Sequence, residues 1–109
     1  MHAFDVLGDP VRRRILELIA REEAGAGELA ATIMAEFGIS HGAVSQHLRV
    51  LREAGFAEAR AIGNRRLYAI RPEPMQEVDA WLEQFRGFWT HRLEALATEV
   101  ARGKKARSK

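Results

Sequence analysis

The sequence predicts a mainly α-helical chain that carries one small β-hairpin. Apolar residues recur at helical spacing in four segments, bounded by residues that start or stop helices. The pair Gly63-Asn64 lies between two extended runs, the signal of a tight hairpin. A third observation comes from Glu28 to Phe56. Two helical patterns meet there at Gly38-Ile39-Ser40, and the second opens with small, polar side chains.

The chain has 109 residues, 47% of them hydrophobic, enough for one domain to bury a core without staples. It has no cysteine, which excludes disulfides, thiolate metal sites and cysteine nucleophiles and fits a reducing cytoplasm. The opening MHAFDVLGDP carries no secretory signal, and no apolar run approaches the ~20 residues of a membrane helix. A cytoplasmic protein without a membrane partner is expected. The formal net charge of +2 gives mild support to a polyanion partner, and charge placement matters more than the total.

A short helix is expected around Ala3 to Leu7. Asp9 then suits an N-cap, and Pro10 suits the first helical position, where its missing N–H costs nothing. The helix that follows places Val11, Ile15, Leu18 and Ile19 on one face and stops near Ala24-Gly25-Ala26-Gly27. From Glu28 to Phe37, Leu29, Ile33, Met34 and Phe37 share a stripe, and Gly38 suits a left-handed helix terminator. Ser40 caps a helix over about 41–54, whose Val44, Leu48 and Leu51 form a buried face. Gly55 ends it.

The hairpin spans about 56–70. Its turn sets Ala59 opposite Tyr68 and Ala57 opposite Ile70, so small residues oppose large ones on one side of the ribbon. Pro72 and Pro74 punctuate the chain, and one long helix is expected over about 75–102. One apolar stripe on it runs through Val78, Leu82, Phe85, Trp89, Leu93, Leu96 and Val100. A second runs through Trp81, Phe88 and Ala95. A helix that covers only its own domain needs one stripe, so the second calls for another partner. Residues 1–102 make a single domain in this reading, and 103–109 a basic, flexible tail.

Function is carried by residues that make poor core. Ser40, His41, Gly42, Ser45 and Gln46 suit a helix end that fits a groove and exchanges hydrogen bonds with base edges. Arg49 and Arg52 lie further along that helix. Arg60, Asn64, Arg65 and Arg66 lie near the hairpin tip, where they would hold phosphates or enter the minor groove. The triplet Arg12-Arg13-Arg14 is either a solvated face or a further phosphate contact. Double-stranded DNA is the expected partner.

Other chemistries find less support. His2, His41, His47 and His91 read as surface or helix-end residues. His41 and His47 are six apart and do not share the face that i, i+4 metal ligands need. His91 and Glu94 form an incomplete set, so no metal or cofactor is expected. Ser45 and His47 diverge on their helix with no third group to orient them. Neither a nucleophile elbow nor a phosphate-binding glycine loop occurs, so catalysis is not expected. The aromatics of the last helix are read as core and dimer seam rather than a ligand pocket.

Asp9-Pro10 with Arg12-Arg13-Arg14-Ile15-Leu16-Glu17-Leu18 resembles the opening motif of the ArsR-type winged-helix repressors. Glu28-Leu29-Ala30, Gly38-Ile39-Ser40, Val44-Ser45-Gln46-His47-Leu48-Arg49-Val50-Leu51 and Ala54-Gly55 are similar to that family's helix-turn-helix. Asn64-Arg65-Arg66-Leu67-Tyr68 is similar to its wing, and the match runs from about Phe4 to Ile70. The resemblance implies a homodimeric repressor on a palindromic operator, dimerising through its first and last helices. Phe4, Leu7, Leu82, Phe85, Trp89, Leu93 and Leu96 are the interface residues expected. It places the DNA-contacting positions on Ser40, His41, Ser45 and Gln46.

Departures from the family pattern matter equally. Members that bind soft metals carry Cys-x-Cys where this chain has Gly25 and Gly27. Members with a site on the last helix use Asp-x-His, whereas here Asp79-Ala80-Trp81 stands, and the spacing from Asp79 to His91 is a residue short. The resemblance is therefore to the metal-independent branch, and the sequence specifies no inducer. The segment from Leu29 to Gly38 is about four residues longer than in the family. One extra turn of ~3.6 residues keeps Leu29, Ile33 and Phe37 on one face. Two rival readings stand beside this one: a sensor-repressor using a non-standard ligand or metal site, and a winged helix serving only protein contacts.

Overall fold

Asp9 and Pro10 start the helix around which the first part of the molecule is built. In a computed structural model that describes residues 1–107, α1 (Ala3–Leu7) is followed by α2 (Pro10–Arg21). Asp9 Oδ1 accepts the N–H groups of Val11 and Arg12 at 2.8 and 3.2 Å, so two of the helix's orphan donors are satisfied. Val11, Ile15, Leu16 and Ile19 of α2 are buried. Leu18, expected among them, is only half-buried, and Leu16 takes its place. The cause is that α1, α3, α4 and β3 all touch α2, so its buried arc is wider than one stripe.

The glycine-rich stretch after α2 does more than stop a helix. Ala24–Gly25 forms a short strand β1 before α3 (Ala26–Phe37) begins. After α4 (His41–Glu53) come β2 (Ala57–Ile62) and β3 (Arg65–Ile70), and β1 pairs antiparallel with β3 through Ala24↔Tyr68 and Gly25↔Leu67. The expected hairpin is thus part of a three-stranded sheet of order β1-β3-β2. The added strand covers the edge of β3 that a lone hairpin would leave open. Pairing of β2 with β3 follows the expected register, Ala57↔Ile70 and Ala59↔Tyr68. Gly63 has φ 60°, and among the described residues none other than glycine has positive φ, as a type II′ turn requires.

Three helices close over this sheet. Leu29, Ala30 and Ile33 of α3 and Val44, Leu48 and Leu51 of α4 are buried, and Phe56 is completely sealed between α4 and β2. Gly38 ends α3 at φ 65°, its N–H donating to the Met34 carbonyl at 2.9 Å. The shared stripe expected on α3 does not extend to its last turn. Met34 and Phe37, in that last turn, are each 37% exposed.

The chain divides into two compact units, Met1–Val78 and Asp79–Lys109. The expected single helix over 75–102 is instead α5 (Glu73–Glu83) and α6 (Arg86–Arg107). The break has a local cause. Gln84 Nε2 donates to the Trp81 carbonyl at 2.9 Å, the acceptor that the Phe85 N–H would use in a continuous helix. The Phe85 N–H turns to the Leu82 carbonyl instead, also at 2.9 Å. Arg86 then reaches back to Asp79 and Glu83, each at 2.9 Å. Gly103 to Arg107, expected as a flexible tail, continues α6, while Ser108 and Lys109 lie outside the described residues. No helix among the described residues is long and apolar enough to cross a membrane.

Two measurements check this packing. Leu51 is fully buried, so Leu51→Ala is expected to cost ~2–5 kcal/mol in urea unfolding. Burial pushes the Asp9 carboxyl up, but hydrogen bonds from Arg12 and Val11 and the charges of His47 and Arg12 outweigh it and hold it below its ordinary value. A depressed folded value gives stability that is complete above the unfolded pKa of about 3.9 and is lost as pH falls through the folded one. Asp9→Ala is therefore expected to cost ~1 kcal/mol at neutral pH. The gap from the parent in thermal melts should narrow as pH falls below the unfolded value of about 3.9.

Candidate nucleic-acid interface

Helix α4 is held from behind and bare in front. Val44, Leu48 and Leu51 seal one side, at exposures of 0–4%. On the other side His41, Gly42, Ser45, Gln46 and Arg49 are all exposed, and their i, i+1, i+4, i+5, i+8 spacing puts them on one face. Ser40 stands just before the helix, and its Oγ accepts the Ala43 N–H at 3.1 Å. Its hydroxyl proton remains available to an outside acceptor. The polar set expected from the sequence therefore forms one continuous outward surface at the N-terminal half of α4.

The support behind α4 includes a residue whose role the sequence left open. Arg12 Nε donates to the Val6 carbonyl at 3.0 Å and Nη2 to the Asp5 carbonyl at 2.8 Å. Its Nη1 lies 3.4 Å from His47 Nδ1 and 3.9 Å from Asp9 Oδ2. One guanidinium thus ties α1, the cap of α2 and the middle of α4 together. His47, expected at the surface, is half-buried against it.

The neighbouring arginines are also occupied. Arg13 donates to the Leu7 carbonyl at 2.7 Å, and Arg14 forms a two-point pair with Glu36 at 2.9 and 3.0 Å. The pair raises Arg14 and, through that hydrogen bond first, lowers Glu36. Glu36 lies in the last turn of α3, so the triplet is neither a bare solvated face nor a set of free phosphate ligands.

At the hairpin the cations differ in their freedom. Arg60 Nη2 lies 2.5 Å from Glu23 Oε2, Arg65 pairs with Glu28, and Arg49 Nε lies 2.9 Å from Glu53 Oε1. Arg52 is half-buried, and its charge helps to lower Glu53 after the larger effect of Arg49. Arg66 is exposed beside Asn64 at the turn and meets no carboxylate among the described residues. Gly25 to Glu28, Asn64, Arg65 and Arg66 line an open cavity of about 390 Å³ between the start of α3 and the hairpin. Gly25 and Gly27 bring no side-chain ligand there, and no three metal-binding side chains converge among the described residues.

Comparison with known proteins fits this arrangement. A helix-turn-helix domain family matches residues 7–60. The chain is 36% identical over 95 residues to the HTH-type transcriptional regulator Rv2034 of Mycobacterium tuberculosis, covering 87% of this chain and 82% of that one. The crystal structure of an ArsR family transcriptional regulator, RHA00566, aligns with a TM-score of 0.67 and 30% identity, over 81% of this chain and 87% of the other. The chain belongs to the ArsR family. It is a DNA-binding transcriptional regulator and not an enzyme. A homodimeric winged helix-turn-helix DNA-binding domain from Mycobacterium bovis, a possible ArsR-family regulator, also aligns. Its TM-score is 0.58 at 26% identity, over 76% of this chain and 73% of the other.

Seen as an ArsR-family chain, it hides two features from a sequence reading. Glu23 and Glu28 as arginine partners sit 37 positions from those arginines, so no local spacing announces them. The Arg12–His47 contact spans 35 positions and carries no local signal either. Gly42 is informative in another way. A Cβ there would meet only Ser40 Oγ, at 3.9 Å, so the fold itself does not require glycine. Gly42→Ala is expected to leave or raise stability, by up to ~1 kcal/mol, since alanine is the better helix former. If the position must fit against DNA, the same variant weakens binding. Thermal melts and fluorescence anisotropy on one sample separate the two effects, and weakened folding would remove this account of Gly42.

Proposed function

We propose that this regulator is a homodimeric repressor that occupies a palindromic operator, with α4 as its recognition helix. The observation that carries the reading is the outward polar face of α4, opposite a sealed apolar stripe. His41, Ser45 and Gln46 read base edges, with Ser40 contributing its hydroxyl proton and Gly42 permitting close approach. The Gln46 amide is suited to adenine, where it pairs with N6 and N7 together. Arg66 and Asn64 meet the backbone or minor groove at the wing, joined by Arg60 and Arg65. Arg49 and Arg52 lie further along α4 as weaker backbone ligands, since Arg49 is paired with Glu53 and Arg52 is half-buried.

Dimerisation is supported by the apolar surface of the second unit. Trp81, Phe88, Trp89, Leu93, Leu96 and Val100 are all 40–73% exposed, more than a solitary helix leaves to water. Phe4 is also exposed and stacks on His2, with ring centroids 5.4 Å apart. Leu82 and Phe85 are half-buried within their own chain, and Leu7 packs against its own core. The dimer seam therefore centres on Trp89, Leu93 and Leu96. Two recognition helices in such a dimer enter successive major grooves about one turn, ~34 Å, apart. Repression follows from occupying the promoter against polymerase. Control needs neither familiar metal site, since Gly25, Gly27 and Trp81 offer no ligating atoms at those positions. The named relatives are bacterial, so the DNA to be reached lies in the cytoplasm.

Selection of bound genomic fragments, followed by footprinting, tests the reading. A protected palindrome is expected, and failure to retain any fragment at low salt would favour a winged helix used for protein contacts. Gln46→Ala is expected to cost ~1–3 kcal/mol on the selected operator and relax preference at one base pair. Equal binding of parent and variant to operator and scrambled DNA would sink the recognition assignment. Arg66→Ala is expected to weaken every duplex alike and lower the salt slope by about 0.9. For assembly, Trp89→Glu with Leu93→Glu should give a monomer by light scattering, and an unchanged mass would remove α6 from the seam.

A further inference from the structure

Two of the three arginines near the hairpin tip do not face solvent as free cations. Arg60 of β2 is held by Glu23, and Arg65 of β3 is held by Glu28. Both pairs join residues 37 positions apart, so they arise from the fold and not from helical spacing. The two carboxylates flank β1, and each fixes one strand of the wing to that same stretch. All four side chains stay 44–64% exposed, so the pairs are weak enough for another anion to displace the carboxylate. Arg66, one residue beyond Arg65, has no such partner among the described residues. The whole chain has 17 Lys and Arg against 15 Asp and Glu, so local pairing decides which cations remain available.

We propose that Glu23 and Glu28 compete with DNA phosphates for Arg60 and Arg65, and so set an upper limit on how tightly the wing grips DNA. This rests on the DNA-binding reading above. A free arginine that meets a phosphate releases ~0.9 of a counterion. An arginine that must first leave its own carboxylate gains less, and it leaves a negative charge beside the backbone that repels the phosphates and retains a cation. Wing engagement is then an exchange of partners at Arg60 and Arg65, and a plain gain at Arg66. The two glutamates weaken affinity and flatten its salt dependence without touching a base.

The test uses the full chain, its selected operator duplex and a scrambled duplex of equal length, titrated across a range of salt. Glu28→Gln and Glu23→Gln are each expected to tighten operator binding about twofold to fivefold, the range spanned by one exposed ion pair. Each should also steepen the salt slope by up to ~0.9. The scrambled duplex should tighten in the same direction. In an Arg65→Ala background the gain from Glu28→Gln should vanish, and likewise that from Glu23→Gln in Arg60→Ala. Unchanged binding and slope overturn the proposal, as does a gain that persists without the arginine. Weaker binding also overturns it, since the carboxylates would then be presenting the arginines rather than withholding them. A parent chain that binds neither duplex overturns the DNA-binding reading before any variant is compared.

Discussion

The exclusion of water from Val44, Leu48 and Leu51 governs what this protein can present to a partner. These side chains repeat at i, i+4 and i+7, and once they are sealed against α2, α3 and Phe56 the rotation of α4 about its axis is fixed. Helical geometry then leaves His41, Gly42, Ser45 and Gln46 no choice but the outward face. The polar surface is therefore a consequence of the apolar one. Arg12 adds a second restraint by linking backbone carbonyls of α1 to His47, so the depth of α4 relative to α1 and α2 is fixed as well.

Charge in this molecule is mostly spent internally. Arg12, Arg13 and Arg14 clasp α1 and the far end of α3, and the arginines of α4 and the wing lean on nearby glutamates. A basic residue at the right place in the sequence is thus not the same as a free cation. Arg66 meets that description better than its neighbours do. The formal net charge of +2 counts residues and does not distinguish paired cations from free ones.

Much of the first unit was legible because its signals are local. Asp9 and Ser40 as caps, Gly38 as terminator and the Gly63-Asn64 turn act within a few residues, and the register of β2 with β3 follows from that turn. Features that depend on distant pairing were not legible. Strand β1 exists because β3 offers it an edge, and Ala24-Gly25 has no strand propensity of its own. The stripe of α3 was overextended, since periodicity marks a face but not where the core ends along it. The break at Gln84 and Phe85 was hidden because a side chain, not a proline or glycine, captures the Trp81 carbonyl. Of the interface residues, the polar face of α4 could be read from type and spacing. The occupancy of Arg49, Arg60 and Arg65 could not.

The central claim is that the N-terminal half of α4 and the tip of the wing form one DNA-reading surface. A backbone-amide NMR titration of the isotope-labelled chain with a selected operator duplex examines it residue by residue. The largest shifts are expected at His41 to Gln46 and at Asn64 to Arg66, with the α6 amides little changed when the chain is already dimeric. Shifts confined to α6, or absent from α4 while the complex forms, would contradict it.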